Sequence, residues 1–228
     1  MAKNEENKDV LENPEVIAEK VTGIEQWIEH NPKIVFGVLG ALILVVGGYF
    51  GWRYYIDSQD DQAQREMFQA VRYFEADSLN LALEGDGNNL GFKQIVEDYG
   101  MTPAGNLANF YAGAICLKQG KYPLAIVYLN DFKADDQLVQ ARAYSLIGDA
   151  YMEQKKYEDA ATYYEKAANY KPNKFFTPTY LMKAGLAFEK SNQKDKAIKA
   201  YQRVIDEYWE SSDYQNARKY KARLETNS

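Results

Sequence analysis

Three stretches of this chain repeat one pattern of small and aromatic residues, and that self-similarity limits the fold more than any other feature. "FYAGAICLKQGKYPLAIVYL" (110–129) and "YSLIGDAYMEQKKYEDAATYY" (144–164) align with Gly113 over Gly148, Tyr122 over Tyr157 and Ala125 over Ala160, each 35 residues apart. A third copy, "YLMKAGLAFEKSNQKDKAIKAYQRVI" (180–205), sets Gly185, Ala197 and Tyr201 at the same internal spacings, 37 residues further on. A period in this range marks stacked units that cannot bury their apolar faces singly. Apolar residues recur at helical spacing and no run alternates as a strand would. Pro103, Pro123, Pro172 and Pro178 fall at element starts or in loops. The expected class is all-α.

In the central copy, Gly148, Tyr151, Tyr157, Ala160, Tyr164, Ala167 and Pro172 stand at the spacing of a tetratricopeptide repeat. The small positions let two antiparallel helices approach closely, and the aromatic ones fill the gap to the next hairpin. The chain therefore resembles the tetratricopeptide family over residues 106–208. The resemblance implies an α-solenoid. Residues 56–105 read as a degenerate first unit, with helices over 62–76 and 90–100 joined by the Gly/Asn-rich loop "EGDGNN". Residues 209–228 read as a capping helix that buries Tyr214, Ala217, Tyr220 and Leu224.

The other strong signal lies upstream. From Ile34 to Trp52 the chain runs nineteen residues without a charge, between Lys33 and Arg53. At about 1.5 Å per residue such a helix matches the roughly 30 Å hydrocarbon core of a bilayer. Tyr49, Trp52, Tyr54 and Tyr55 cluster at its far end, as headgroup-level aromatics do. The run starts too late and is too long for a cleaved signal peptide, so it reads as a single-pass anchor. Gly47 and Gly51 give a small-xxx-small spacing that permits close packing with another membrane helix. Ahead of it, within residues 1–33, Asn13 and Pro14 signal a helix start. Ile17, Val21, Ile24 and Ile28 then follow at helical spacing beside Trp27, until Asn31-Pro32 breaks the helix. This reads as a short amphipathic helix with a glutamate-rich face, lying at the surface or against a partner, or else as a helix that merely spaces the anchor.

Charge excludes some partners. The net charge is −6, of which the first 33 residues carry −4 and the segment after Tyr55 carries −3, with Arg53 the balance. Neither part has the basic surplus that nucleic acid or anionic lipid attracts. Near the span, Lys20 and Lys33 on one side face Arg53, Arg65 and Arg72 on the other, which leaves sidedness open. Catalytic chemistry has little to use. His30, the sole histidine, precedes the span, and Cys116, the sole cysteine, takes a position filled by Tyr151 and Phe188 in the next copies. No metal-ligand cluster, phosphate loop or nucleophile motif is present, so a non-enzyme without a cofactor is expected.

Repeat solenoids bind partners through the first helix of each unit. Projecting the register places Phe110, Ala114 and Leu117 in the groove, then Ser145, Asp149 and Met152, then Met182, Leu186 and Glu189. That lining, rich in Met and Leu, suits loose capture of extended hydrophobic segments. A carboxylate clamp for chaperone tails has only Arg142, Lys118 and Lys190, at scattered positions.

The span ends in Gly51, Trp52, Arg53, Tyr54 and Tyr55, after a short acidic segment and before repeats. In this layout the chain resembles the YfgM family. The resemblance implies an inner-membrane protein with a cytoplasmic N-terminus and a periplasmic repeat domain. It also implies association with the SecYEG translocon and a PpiD-like prolyl isomerase, attending unfolded, newly translocated chains. The repeats here lie closer to the tetratricopeptide consensus than that family's pattern. A structural scaffold of another cell-envelope assembly or secretion complex is the alternative.

Overall fold

The computed structural model describes Thr22, Glu25 and residues 27–226. The chain divides into two compact units, Met1–Tyr55 and Ile56–Ser228.

In the first unit, residues 27–30 are helical and Asn31 interrupts for a single residue. Its amide Nδ2 donates to the Trp27 carbonyl at 2.9 Å, and its carbonyl accepts from the N–H of Ile34 and Val35 at 3.1 Å. Asn31 thus closes one helix and opens the next, where Pro32 needs no N–H partner. The break expected at Asn31-Pro32 is present. Asn13, Pro14, Ile17, Val21 and Ile24 lie outside the described residues.

Helix α1 spans Pro32–Glu75. Every residue from Phe36 to Tyr55 is exposed, and a Cβ added at Gly47 or Gly51 would meet nothing within 4 Å. A core helix of a soluble protein would bury this stretch, because each Å² of apolar surface left in water costs about 25 cal/mol. The stretch is long and apolar enough to cross a membrane. The rings of Trp52 and Tyr55 lie 6.1 Å apart at its end. The helix does not stop at Trp52, since Arg53 to Gln59 contains neither Gly nor Pro to break it.

In the second unit, α1 turns Ala63, Met67 and Ala70 inward at spacings of four and three. They pack with Phe92, Ile95, Ala104 and Ala108. Asp60 Oδ1 accepts the Ala104 N–H at 2.7 Å. Two short helices follow, α2 (Leu79–Glu84) and α3 (Phe92–Tyr99). The first of these was not foreseen, since "LNLALE" is too short to show a period. Between them Asp86 accepts the N–H groups of Asn88 (2.8 Å) and Asn89 (2.7 Å) and the Tyr73 hydroxyl (2.7 Å).

Three helical hairpins come next. They are α4 (Pro103–Lys118) with α5 (Tyr122–Asp131), α6 (Val139–Glu153) with α7 (Tyr157–Asn169), and α8 (Thr177–Lys190) with α9 (Lys194–Glu207). Helix α10 (Tyr214–Thr226) closes the stack; of the four residues expected to be buried, Ala217 is buried and Tyr214, Tyr220 and Leu224 are half-buried. Each first helix ends in one repeated device. Gly120, Lys155 and Asn192 adopt φ of 73°, 59° and 59°. The N–H after each reaches the carbonyl five residues back, from Lys121 to Cys116 (2.8 Å), Lys156 to Tyr151 (2.9 Å) and Gln193 to Phe188 (2.8 Å). This left-handed residue turns the chain sharply enough for the second helix to pack antiparallel on the first.

Candidate functional site

The first helices α4, α6 and α8 present the candidate face, and the glycines set how closely they approach their partners. A Cβ at Gly113 would stand 2.5 Å from Leu129 Cγ. At Gly148 and Gly185 it would stand 2.6 and 2.3 Å from the ring carbons of Tyr164 and Tyr201. The second-helix side chain at this position therefore lies directly on the first-helix backbone, which aims its tip at the candidate face.

Those tips meet carboxylates. The Tyr164 hydroxyl donates to Asp149 at 2.6 Å and the Tyr201 hydroxyl to Glu189 at 2.6 Å. Burial pushes both phenols well above their usual range, and the adjacent carboxylates push the same way. Each carboxylate also takes a cation from the following unit. Lys183 Nζ lies 2.8 and 3.0 Å from the two Asp149 oxygens, and Arg223 pairs with Glu189. Both pairs join residues 34 apart, a spacing at which opposite charges in the sequence could have been sought. Sequence reasoning missed Lys183 and Arg223 for want of that test.

The predicted lining divides accordingly. Asp149 is half-buried and engaged by Tyr164 and Lys183, and Ser145 is buried. Phe110 is half-buried, its ring 5.4 Å from Phe132. It packs on the cluster of Leu129 and Ile147 between hairpins. Leu117 rests half-buried on the cluster that holds Ala112 and Ile115, and Met152 and Met182 rest on that of Tyr164 and Leu181. Leu186 is the one of the nine predicted lining residues that stands open, 43% exposed. Of the scattered cations, Lys118 pairs with Asp77 at 3.0 Å and Lys190 lies 5.8 Å over the Tyr157 ring, while Arg142 is exposed. The acids of the face are ionically tied, Leu186 is its open apolar position, and Arg142 and Lys190 are exposed cations on it.

Cys116 is buried, and burial raises its thiol pKa, which disfavours the reactive thiolate. Among the described residues, no group of three or more His, Cys, Asp or Glu is placed to hold a metal ion.

Residues 139–206 match the tetratricopeptide repeat family model. The matched segment is α6 to α9, where the glycine–tyrosine contacts and the ion pair of Asp149 with Lys183 lie. The fold is thus an all-α tetratricopeptide-repeat solenoid preceded by one long apolar helix. A curated relative, the "Uncharacterized protein ycf37" of Guillardia theta, is 34% identical over 102 residues. That alignment covers 42% of this chain and 56% of the relative, so the chain spans little more than half of that protein's length.

Proposed function

We propose that this chain is a membrane-anchored adaptor whose α4, α6 and α8 face holds partner polypeptides. The observation that carries this reading is the open apolar Leu186, with the half-buried Met182 on the same helix and Met152 and Leu117 on the two preceding first helices, on the face that repeat solenoids use for partners. The exposed run from Phe36 to Tyr55 supports the anchor. The Gly51–Tyr55 signature supports a finer reading. In it the anchor lies in the inner membrane with the N-terminus cytoplasmic and the repeats periplasmic. There they assist the SecYEG translocon beside a PpiD-like isomerase, without catalysis of their own.

The test combines sidedness with neighbours. Intact spheroplasts are treated with protease, and a photo-crosslinker at Leu186 captures partners in vivo. Periplasmic cleavage with translocon subunits or the isomerase attached supports the reading. Protected repeats overturn the topology, and envelope partners without Sec components transfer the protein to the scaffold alternative. Leu186→Glu should cut crosslinking through a probe at Met182, one turn away on the same helix, at least several-fold, with the helical content unchanged. Undiminished capture would refute the groove.

A further inference from the structure

The third hairpin starts late. Gly148 follows Leu129 by 19 residues, but Gly185 follows Tyr164 by 21. The added length is taken up in the helices, α7 having 13 residues against 10 in α5, while α7 connects to α8 through residues 170–176, seven residues like the 132–138 connection before it. That connection carries Phe175 and Phe176, 74% and 44% exposed, and the next one, 208–213, carries Trp209, 65% exposed. Phe175 and Trp209, with Lys174, Tyr208, Glu207 and Glu210, line a cleft of about 320 Å³. Large aromatics left in water in a connecting turn lower solubility and do not serve the core.

Both walls of the cleft are held in place. Asn173 Oδ1 accepts the N–H groups of Phe175 (3.0 Å) and Phe176 (2.9 Å). The buried Thr177 hydroxyl accepts the Asn173 N–H at 2.8 Å. Opposite, Ser211 Oγ accepts the Asp213 N–H at 3.1 Å, and the Thr179 hydroxyl donates to Asp213 at 2.8 Å, which ties α8 to the start of α10. The aromatics are therefore presented at little further entropic cost on binding.

Charge selects the occupant. Glu207 is engaged by Arg203 at 3.2 Å from its own helix, whereas Glu210 forms no ion pair among the described residues. The Lys174 ammonium already lies 5.5 Å over the Phe175 ring, and no cation among the described residues lies over Trp209. Indole is the best ring for a cation, and a planar guanidinium can both stack on it and pair with a carboxylate. We propose that this cleft takes an arginine side chain of a partner polypeptide, stacked on Trp209 and paired with Glu210. The site lies on the loop edge and does not depend on the Leu186 face.

The chain has three tryptophans, so Trp27→Phe and Trp52→Phe leave Trp209 as the sole indole reporter. Full chain in zwitterionic nanodiscs is titrated with acetyl-Gly-Arg-Leu-Gly-amide and with its citrulline twin, which keeps the shape and loses the charge. A saturable change in Trp209 emission with the arginine peptide, at least tenfold weaker with citrulline, is expected. Glu210→Gln, an exposed change that leaves the fold intact, should weaken binding about two- to fivefold, in line with an exposed pair, and flatten its salt dependence. Leu186→Glu should leave the titration unchanged even if the groove reading fails. Equal response to both peptides, or none to arginine at millimolar concentration, overturns the proposal.

Discussion

Gly148→Ala sets two opposing terms against each other, and the structure decides which wins. In a helix interior, alanine is favoured over glycine by about 1 kcal/mol. Here the new Cβ would stand 2.6 Å from Tyr164 Cε1, 2.7 Å from Cδ1 and 3.0 Å from Cζ. Ordinary carbon contact is about 3.5–4.0 Å, so the ring must retreat by roughly 1 Å. It has no easy retreat. The ring is buried, its hydroxyl donates to Asp149 at 2.6 Å, and Lys183 lies 5.5 Å from its centroid. Overpacking of this kind costs about 1–3 kcal/mol, and loosening the hydroxyl bond adds about 1 kcal/mol. The net expectation is a loss of about 1–3 kcal/mol.

Urea unfolding of the full chain, followed by far-UV circular dichroism, measures this as a lowered midpoint. The companion measurement isolates the cause. In a Tyr164→Ala background the same alanine should be neutral or stabilising by up to about 1 kcal/mol, because only the propensity term remains. Gly185→Ala should repeat the loss, with Tyr201 Cε1 2.3 Å away, and Gly51→Ala should not, since nothing lies within 4 Å. Gly148→Ala as stable as the natural chain would refute the argument that hairpin spacing is set at this contact.

Lys155→Gly should stabilise the repeats by about 0.5–1 kcal/mol. Lys155 holds φ of 59° at a position that the first hairpin gives to Gly120, and a non-glycine residue there costs about 1 kcal/mol. A thermal midpoint that falls would count against it. A third prediction concerns acid. The Tyr73 hydroxyl, followed by Asn89 and Asn88 donors, holds the Asp86 carboxyl far below its ordinary value of 3.8. A depressed folded value means its stabilisation is complete above the unfolded value and fades as pH falls through the folded one. The stability gap between the natural chain and Asp86→Ala should therefore be constant near neutrality and narrow progressively below about pH 4. A gap that stays constant down to pH 2 would rule out ionised Asp86 as the anchor of the 86–89 loop.

Much of this fold was legible because its determinants are backbone contacts at fixed spacing. Gly113, Gly148 and Gly185 could be aligned by eye because each must admit a side chain sixteen residues later onto bare backbone, and no other residue does that cheaply. The uncharged run was legible for a similar reason, since few solutions exist for it. Helix α2 and the continuation of α1 past Trp52 were not. A six-residue helix shows less than two turns of period, and a change from apolar to charged residues alters the surroundings of a helix without ending it.

The candidate face was read only in part, and the reason bears on function. Register says which way Asp149 and Glu189 point, but not that Lys183 and Arg223 from the next unit will reach them. Those pairs remove from the face the acids that the sequence suggested a partner would meet. What remains open and apolar there is Leu186, with the half-buried Met182 on its own helix and Met152 on the preceding first helix, and such a surface discriminates weakly between apolar segments. With its acids tied up, the face has no open carboxylate for a basic side chain, and the loop cleft has the Trp209 ring and, in Glu210, a carboxylate without an ion pair among the described residues. A partner that offers an apolar stretch to the face and an arginine to the cleft would gain both, because linked contacts on one rigid unit raise effective concentration. The fold-losses from Leu186→Glu and Glu210→Gln should therefore multiply when the two are combined against such a bivalent peptide, while monovalent peptides respond to one change only.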